Sequence, residues 1–135
     1  MRSASVGGIK WADSSTQAFH QQRLVMLMEH DEYPPGGTYN LQTLEPVDYP
    51  SGYSVTFYQV GDNYTPEEYA NLVNEFYEHS SDGIASAGKF DGLPEVSFNV
   101  ADRNTAVILA RRFNQDSIFD WATGTLIKTG GTGWR

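Results

Sequence analysis

Histidines set among carboxylates are the first residues in this chain whose types could do chemistry. His30 stands beside Glu29, Asp31 and Glu32, and His79 follows Glu75 by four positions. A carboxylate and an imidazole at i and i+4 share a helix face and can share a divalent ion. A closed site needs three or four converging ligands, and His20, His30 and His79 lie far apart in the chain. No metal or other cofactor is expected. Carboxylate pairs of the glycosidase kind arise here by abundance alone, and the sequence shows neither the cleft nor the divergent pKa values such catalysis needs. Cysteine is absent, which removes thiolate nucleophiles, thiolate metal sites and disulfides together. No G-x-S-x-G elbow presents a serine nucleophile. The glycines at 130, 131 and 133 lack the G-K-[ST] ending of a phosphate loop. The residue types point away from an enzyme.

The acids are more informative by position than by pairing. Between Leu24 and Gly88 the chain holds eleven: Glu29, Asp31, Glu32, Glu45, Asp48, Asp62, Glu67, Glu68, Glu75, Glu78 and Asp82. The same segment has no lysine or arginine, where an even spread of the nine basic residues would place about four. All eight tyrosines also fall there, from Tyr33 to Tyr77. A surface of carboxylates and phenol rings repels nucleic acid and attracts basic proteins. Tyrosine adds contact area with a polar tip. Direct nucleic-acid binding requires a basic stripe. The one basic cluster, Arg103, Arg111 and Arg112, is expected to pair with the protein's own carboxylates or with another subunit. The expected partner-binding residues are Glu67, Glu68, Asn71, Glu75 and Glu78, with Asp62, Tyr64, Glu45 and Asp48 as a second patch.

Length and composition fit a single folded domain. A chain of 135 residues, 39% hydrophobic with net charge -8, buries enough surface for a core and displays its charge on a folded body. No apolar run approaches the ~18 residues of a membrane span, and the start of the chain lacks a signal-peptide core. The expected location is cytoplasmic.

The elements that must position these residues follow from capping and periodicity. Residues 1–13 read as a loose lead-in, with Ile9 and Trp11 able to dock back. An N-terminal helix follows within 14–35, capped by Ser14, Ser15 or Thr16 and stopped by Pro34-Pro35-Gly36-Gly37. Its apolar stripe around Leu24 to Met28 is blurred, which predicts a buried helix or a homodimer interface through residues 24–28. Residues 38–60 read as a hairpin with strands Thr38–Leu44 and Tyr53–Val60, the second alternating Val55 and Phe57 with Thr56 and Tyr58. Thr65, Pro66 and Glu68 form a capping box for a helix with Tyr69, Leu72, Val73, Phe76 and Tyr77 inward. Strands at Ile84–Phe90 and Glu95–Ala101 flank Asp91-Gly92, with a loop lengthened by Leu93-Pro94. Asp102 or Asn104 caps a third helix, with Ala106, Leu109, Ala110 and Phe113 inward and Asn114 as a left-handed stop. Ser117–Trp121 and Thr125–Thr129 form a last hairpin, and 130–135 reads as a flexible tail unless Trp134 docks. Gln115 either bonds backbone at the turn or lines a small site. The expected class is α+β, within a domain at 36–129. It has an antiparallel-rich sheet of about five to six strands and two helices on one face, in ferredoxin-like β-α-β-β-α-β order, plus the N-terminal helix.

Glu95-Val96-Ser97-Phe98, a helix, and then Phe113-Asn114-Gln115-Asp116-Ser117-Ile118-Phe119-Asp120 together resemble a recurring module of small bacterial and phage proteins. The segment Gly36 to Val55, with its Gly52-Tyr53 return, resembles openings of phage-encoded accessory proteins. The resemblance covers about a third to half of the chain and carries no catalytic motif. It implies an accessory protein of a phage or mobile element, of the anti-CRISPR or DNA-mimic kind. Such a protein would block the basic groove of a host nucleic-acid-binding defence complex, a CRISPR effector among them, without touching nucleic acid or membrane. The alternatives are an assembly protein acting through homo-oligomerisation and an enzyme with an unrecognised carboxylate site.

Overall fold

The structure, a computed structural model, describes residues 12–29, 37–90 and 93–133. Its elements are α1 (Thr16–Glu29), β1 (Tyr39–Asn40), β2 (Tyr53–Gln59), α2 (Pro66–His79), β3 (Ser86–Phe90), β4 (Leu93–Val100), α3 (Arg103–Arg112), β5 (Ser117–Asp120) and β6 (Thr125–Lys128). The six strands form one sheet in the order β1-β3-β4-β2-β5-β6, every neighbouring pair antiparallel. The α+β class is as expected. In the β-α-β-β-α-β stretch, β4 lies between β2 and β3, and β2 between β4 and β5. The expected helix stop at Pro34–Gly36, the turn at Asp91-Gly92, the lead-in with Ile9 and Trp11, His30 and its neighbours, and Trp134 lie outside the described residues.

α2 and α3 cover one face of the sheet through a single aromatic ring. The ring of Phe57 on β2 lies 5.8 Å from those of Tyr69 and Phe76 on α2, 5.9 Å from Phe98 on β4 and 6.4 Å from Phe113 after α3. A register shift between Thr56 and Tyr58 makes this possible. Such a bulge places two consecutive residues on one side, so Tyr58 is buried with Phe57 and meets Tyr69 edge-on at 5.3 Å. Strict alternation, which would turn Tyr58 to the other face, fails here for that reason.

The caps of α2 and α3 follow the sequence. Thr65 Oγ1 accepts from the Glu68 N–H at 3.1 Å and the Glu68 carboxylate accepts from the Thr65 N–H at 2.9 Å. Asp102 accepts from the backbone N–H and the hydroxyl of Thr105 at 2.9 and 2.8 Å, bonds that hold its carboxyl below the ordinary range. The stripe Ala106, Leu109, Ala110 and Phe113 is buried, and Asn114 takes the left-handed conformation with φ 56°. At the start of α1 the Ser15 hydroxyl donates to Asp13, whose carboxylate organises that turn together with the Ser15 N–H.

Three expectations are corrected. β1 is two residues long and pairs with β3, not β2, so residues 38–60 are not a hairpin. Asn40 ends the strand by accepting from the N–H groups of Gln42 and Thr43 at 2.8 and 3.0 Å, and Leu44 turns the chain with φ 65° while its side chain is buried. The β3–β4 hairpin pairs Phe90 with Leu93 and Lys89 with Pro94, so its loop is two residues rather than longer. Residues 129–133 are not a free tail. Asn114 donates to Thr132 Oγ1 at 2.7 Å and accepts from the Thr132 and Gly133 N–H groups at 3.1 and 2.8 Å. Thr129 is buried, with its N–H on the Asp116 carbonyl at 3.0 Å and its hydroxyl on that of Gln115.

α1 belongs to the same core. Its buried residues are Gln17, His20, Leu24 and Leu27. Gln17 donates to the Tyr64 carbonyl at 3.0 Å, and Arg23 donates to the Leu41 carbonyl at 3.2 Å and to that of Gln42.

Candidate functional site

Two surfaces compete for a functional role: the outer face of α2 and the sheet face that α2 and α3 leave open. On α2, Glu67, Glu68, Asn71 and Glu78 are exposed. Tyr69, Ala70, Val73 and Phe76 anchor the opposite side, so these side chains stand on a convex, rigid frame. They do not form one equivalent set. Glu68 closes the capping box, and Glu75 is turned toward α3. Its Oε1 lies 3.0 Å from Arg112 Nη1, with the Glu75 side chain 22% exposed and the arginine 62%. The contact is an ion pair out of hydrogen-bond alignment. It gives Glu75 a stabilising role near the end of the helix that the helix dipole does not supply.

The second patch divides. Asp62 accepts from the Gln59 N–H at 2.8 Å in the turn after β2, and Tyr64 packs 6.4 Å from Tyr58. Glu45 and Asp48 belong to the segment that bridges Tyr39 through Pro46, beyond the other edge of the sheet. Tyr39, Ala87, Val96 and Tyr58 form one register row, so that segment stands about four strand spacings, roughly 19 Å, from β2. The structure brings Asp62 and Tyr64 near α2 and leaves Glu45 and Asp48 apart.

The tyrosines are structural. Tyr39, Tyr58 and Tyr69 are buried, and Tyr49, Tyr53, Tyr64 and Tyr77 are half-buried. Burial raises the Tyr69 and Tyr77 hydroxyl pKa values. Tyr39, Tyr58 and Tyr69 are thereby withdrawn from the expected tyrosine-rich contact surface. Tyr58 and Tyr69 fill the core between α1, α2 and β2, whereas Tyr49 packs against Trp121.

Arg111 donates to the Thr129 carbonyl and Arg112 meets Glu75. Two of the three arginines of α3 thus serve the protein's own packing. Among the described residues, no group of three His, Asp or Glu side chains is placed to hold a metal ion. No helix there is long and apolar enough to cross a membrane.

The sheet face opposite α2 and α3, where Thr56 and Ser97 are each 8% exposed and Ser54 is half-buried, was missed as a site by sequence reading. A groove of about 390 Å³ lies on it, floored by Ser54, Thr56 and Ser97 and walled by Phe119 and Trp121, with Glu95 and Gln115 also lining it. Thr56 donates to Glu95 at 3.0 Å. Trp121 donates its indole N–H to Ser54 at 2.7 Å and stacks edge-on against Phe119 at 5.2 Å and Tyr49 at 5.3 Å. Tyr49 in turn donates to Asp82 at 2.7 Å; burial first and then this carboxylate raise its pKa. Gln115 lines the groove, and its backbone N–H bonds the Ala110 carbonyl at 2.7 Å. The available signal was the alternation itself: Ser54 with Thr56, Ser97 with Asn99 and Phe119 with Trp121 each fall two apart. Glu95 is the one acid in the lining among the described residues, so the groove holds no carboxylate pair for glycoside hydrolysis. Comparison with protein-family models, with curated proteins and with solved structures returns no match for this chain.

Proposed function

We propose that the protein is a non-enzymatic acidic binding protein that offers the outer face of α2 to a basic, nucleic-acid-handling partner and blocks its groove. The resemblance to phage accessory proteins makes a host defence complex the expected partner. One observation carries the reading: Glu67, Glu68 and Glu78 of α2 are exposed on a frame fixed by a capping box and four buried side chains, whereas among the described residues the groove is lined by a single acid. Carboxylates held rigidly on a convex face can take the places of phosphates, and opposite potentials speed encounter. Glu67, Asn71 and Glu78 are the contact group, because Glu68 and Glu75 already serve the fold.

The test is capture from host lysate by the wild type and by a Glu67→Lys/Glu78→Lys variant, with DNA as competitor. The reading expects a nucleic-acid-binding protein that DNA displaces and that the variant fails to capture. Undiminished capture by a folded variant refutes it.

A second reading, self-assembly through α1, is favoured by the exposure of Phe19, Val25 and Met26. Leu24 and Leu27 are buried in the monomer and unavailable to it. Light scattering decides: a dimer that Val25→Glu dissociates supports assembly, and a monomer at high concentration removes it.

A further inference from the structure

We propose that the groove on the open face of the sheet binds a neutral, polyhydroxylated ligand, a saccharide unit, at a site separate from the acidic face of α2. Strand register carries the inference. Ser54 stands beside Phe119, and Phe119 beside Leu126, so a hydroxyl borders an apolar wall; Thr56 stands beside Ser97 in the next row. Pairing between β2 and β5 ends at Ser54 and Phe119, although β2 runs on to Gln59 and β5 begins at Ser117. The cavity opens where that pairing ends.

The wall is held in place before any ligand arrives. Trp121 is tied to the sheet through Ser54 and is braced edge-on by Phe119 and Tyr49, and Tyr49 is itself anchored on Asp82. The same bonds set the polarity of the floor. Ser54 Oγ accepts from the indole, so its own proton is left to point at another acceptor. Thr56 gives its proton to Glu95, so its oxygen presents lone pairs. A donor and an acceptor thus stand two residues apart on one strand face, about 7 Å.

A ligand that answers both must carry groups that donate and accept. Hydroxyls do; carboxylates and phosphates accept only, and ammonium groups donate only. Glu95 in the lining, on a protein of net charge -8, opposes an anion, while Lys89 at the groove opposes a cation. The aromatic wall asks for an apolar face on the same molecule, which the C–H side of a sugar ring supplies. The volume, about 390 Å³, lies within the ~300–1,000 Å³ of small-molecule sites.

The experiment titrates the full chain, labelled with ¹⁵N, with a panel of neutral and of sulfated mono- to trisaccharides. Neutral sugars are expected to shift the amides of Ser54, Thr56 and Phe119 and the Trp121 indole signal. Thr56→Val, which keeps the shape and loses the acceptor, should weaken binding by about tenfold. Trp121→Phe, which frees Ser54, should weaken it as well, and provides the readout if the valine variant does not fold. Glu67→Lys/Glu78→Lys should bind the sugar as the wild type does, so failure here and failure of partner capture are told apart. No neutral sugar bound at millimolar concentration, shifts outside the groove, preference for sulfated sugars, or unchanged affinity in both groove variants would each overturn the proposal.

Discussion

His20 shows how a single residue couples the fold to pH. Its Nδ1 lies 2.6 Å from the Tyr69 hydroxyl and its ring meets the Tyr69 ring edge-on at 5.5 Å, in the buried contact between α1 and α2. Desolvation lowers its pKa from 6.5 to about 4, because a charged imidazole there would lose its water without gaining a counter-ion. The unfolded chain takes up a proton near pH 6.5 and the folded chain only near pH 4. The unfolded state therefore binds more protons between those values, and stability falls as pH drops through that window and levels off below it. At pH 5 the loss relative to pH 7 amounts to about 2 kcal/mol. Urea unfolding at pH 7 and pH 5 reads it: His20→Gln should lose that part of the dependence, and an equal dependence in the variant would show that other groups supply it. His20 was visible in the sequence only as a polar residue on a blurred stripe. Gln17 and His20 occupy two of the four buried positions of α1, and hydropathy cannot recognise polar side chains as inward-facing until their partners Tyr64 and Tyr69 are in place.

At the scale of elements, the helix caps of α2 and α3 and the last hairpin were legible locally, and the pairing of β1 was not. The capping box of α2, the Asp102 cap of α3 and the left-handed stop at Asn114 each depend on residues within a few positions of one another. β1 failed because its partner is β3, more than forty residues away, and no local pattern names that strand. The stop at Asn114 has a second duty that only the fold reveals, since it clasps residues 132 and 133. Two substitutions separate the duties. Asn114→Gly keeps the backbone conformation and the carbonyl bond to Gly133 but removes the side-chain bonds to Thr132; Asn114→Ala removes the same side-chain bonds and adds a left-handed strain of about 1 kcal/mol. Thermal unfolding should place both below the wild type, with alanine the lower. Equal midpoints for the two variants would mean that the backbone at 114 relaxes without cost.

For the whole molecule, net charge governs long-range behaviour. Arg112–Glu75 and the exposed Lys128–Asp116 at 3.9 Å are ion pairs among the described residues, and surface pairs of this kind contribute about 1 kcal/mol or less. The net charge of -8, which local pairing does not change, acts at long range. Capture of a basic partner by α2 should weaken steeply from about 50 to 500 mM salt, as the screening length falls from above to below the ~10 Å it has near 0.1 M. The saccharide titration, which involves no net charge, should be flat over the same range. A salt-insensitive capture would assign the contact to the apolar residues of α1 rather than to the acids of α2.

By itself the sequence determined the class of fold, the three helices with the caps of α2 and α3, the inward stripes of those two helices, and the exclusion of cysteine chemistry. Each follows from residue type or from spacing within one element. Only the tertiary structure decided which of the remaining acids are spare: Glu75 meets Arg112, and Glu45 and Asp48 stand about four strand spacings from β2, the strand that leads into Asp62. It also turned the tyrosines inward and set Ser54, Thr56, Phe119 and Trp121 around one groove. The reason is that strand order and register are properties of pairs far apart in the chain. A one-residue bulge at Phe57 is enough to send Tyr58 to the core while leaving Thr56 on the open face.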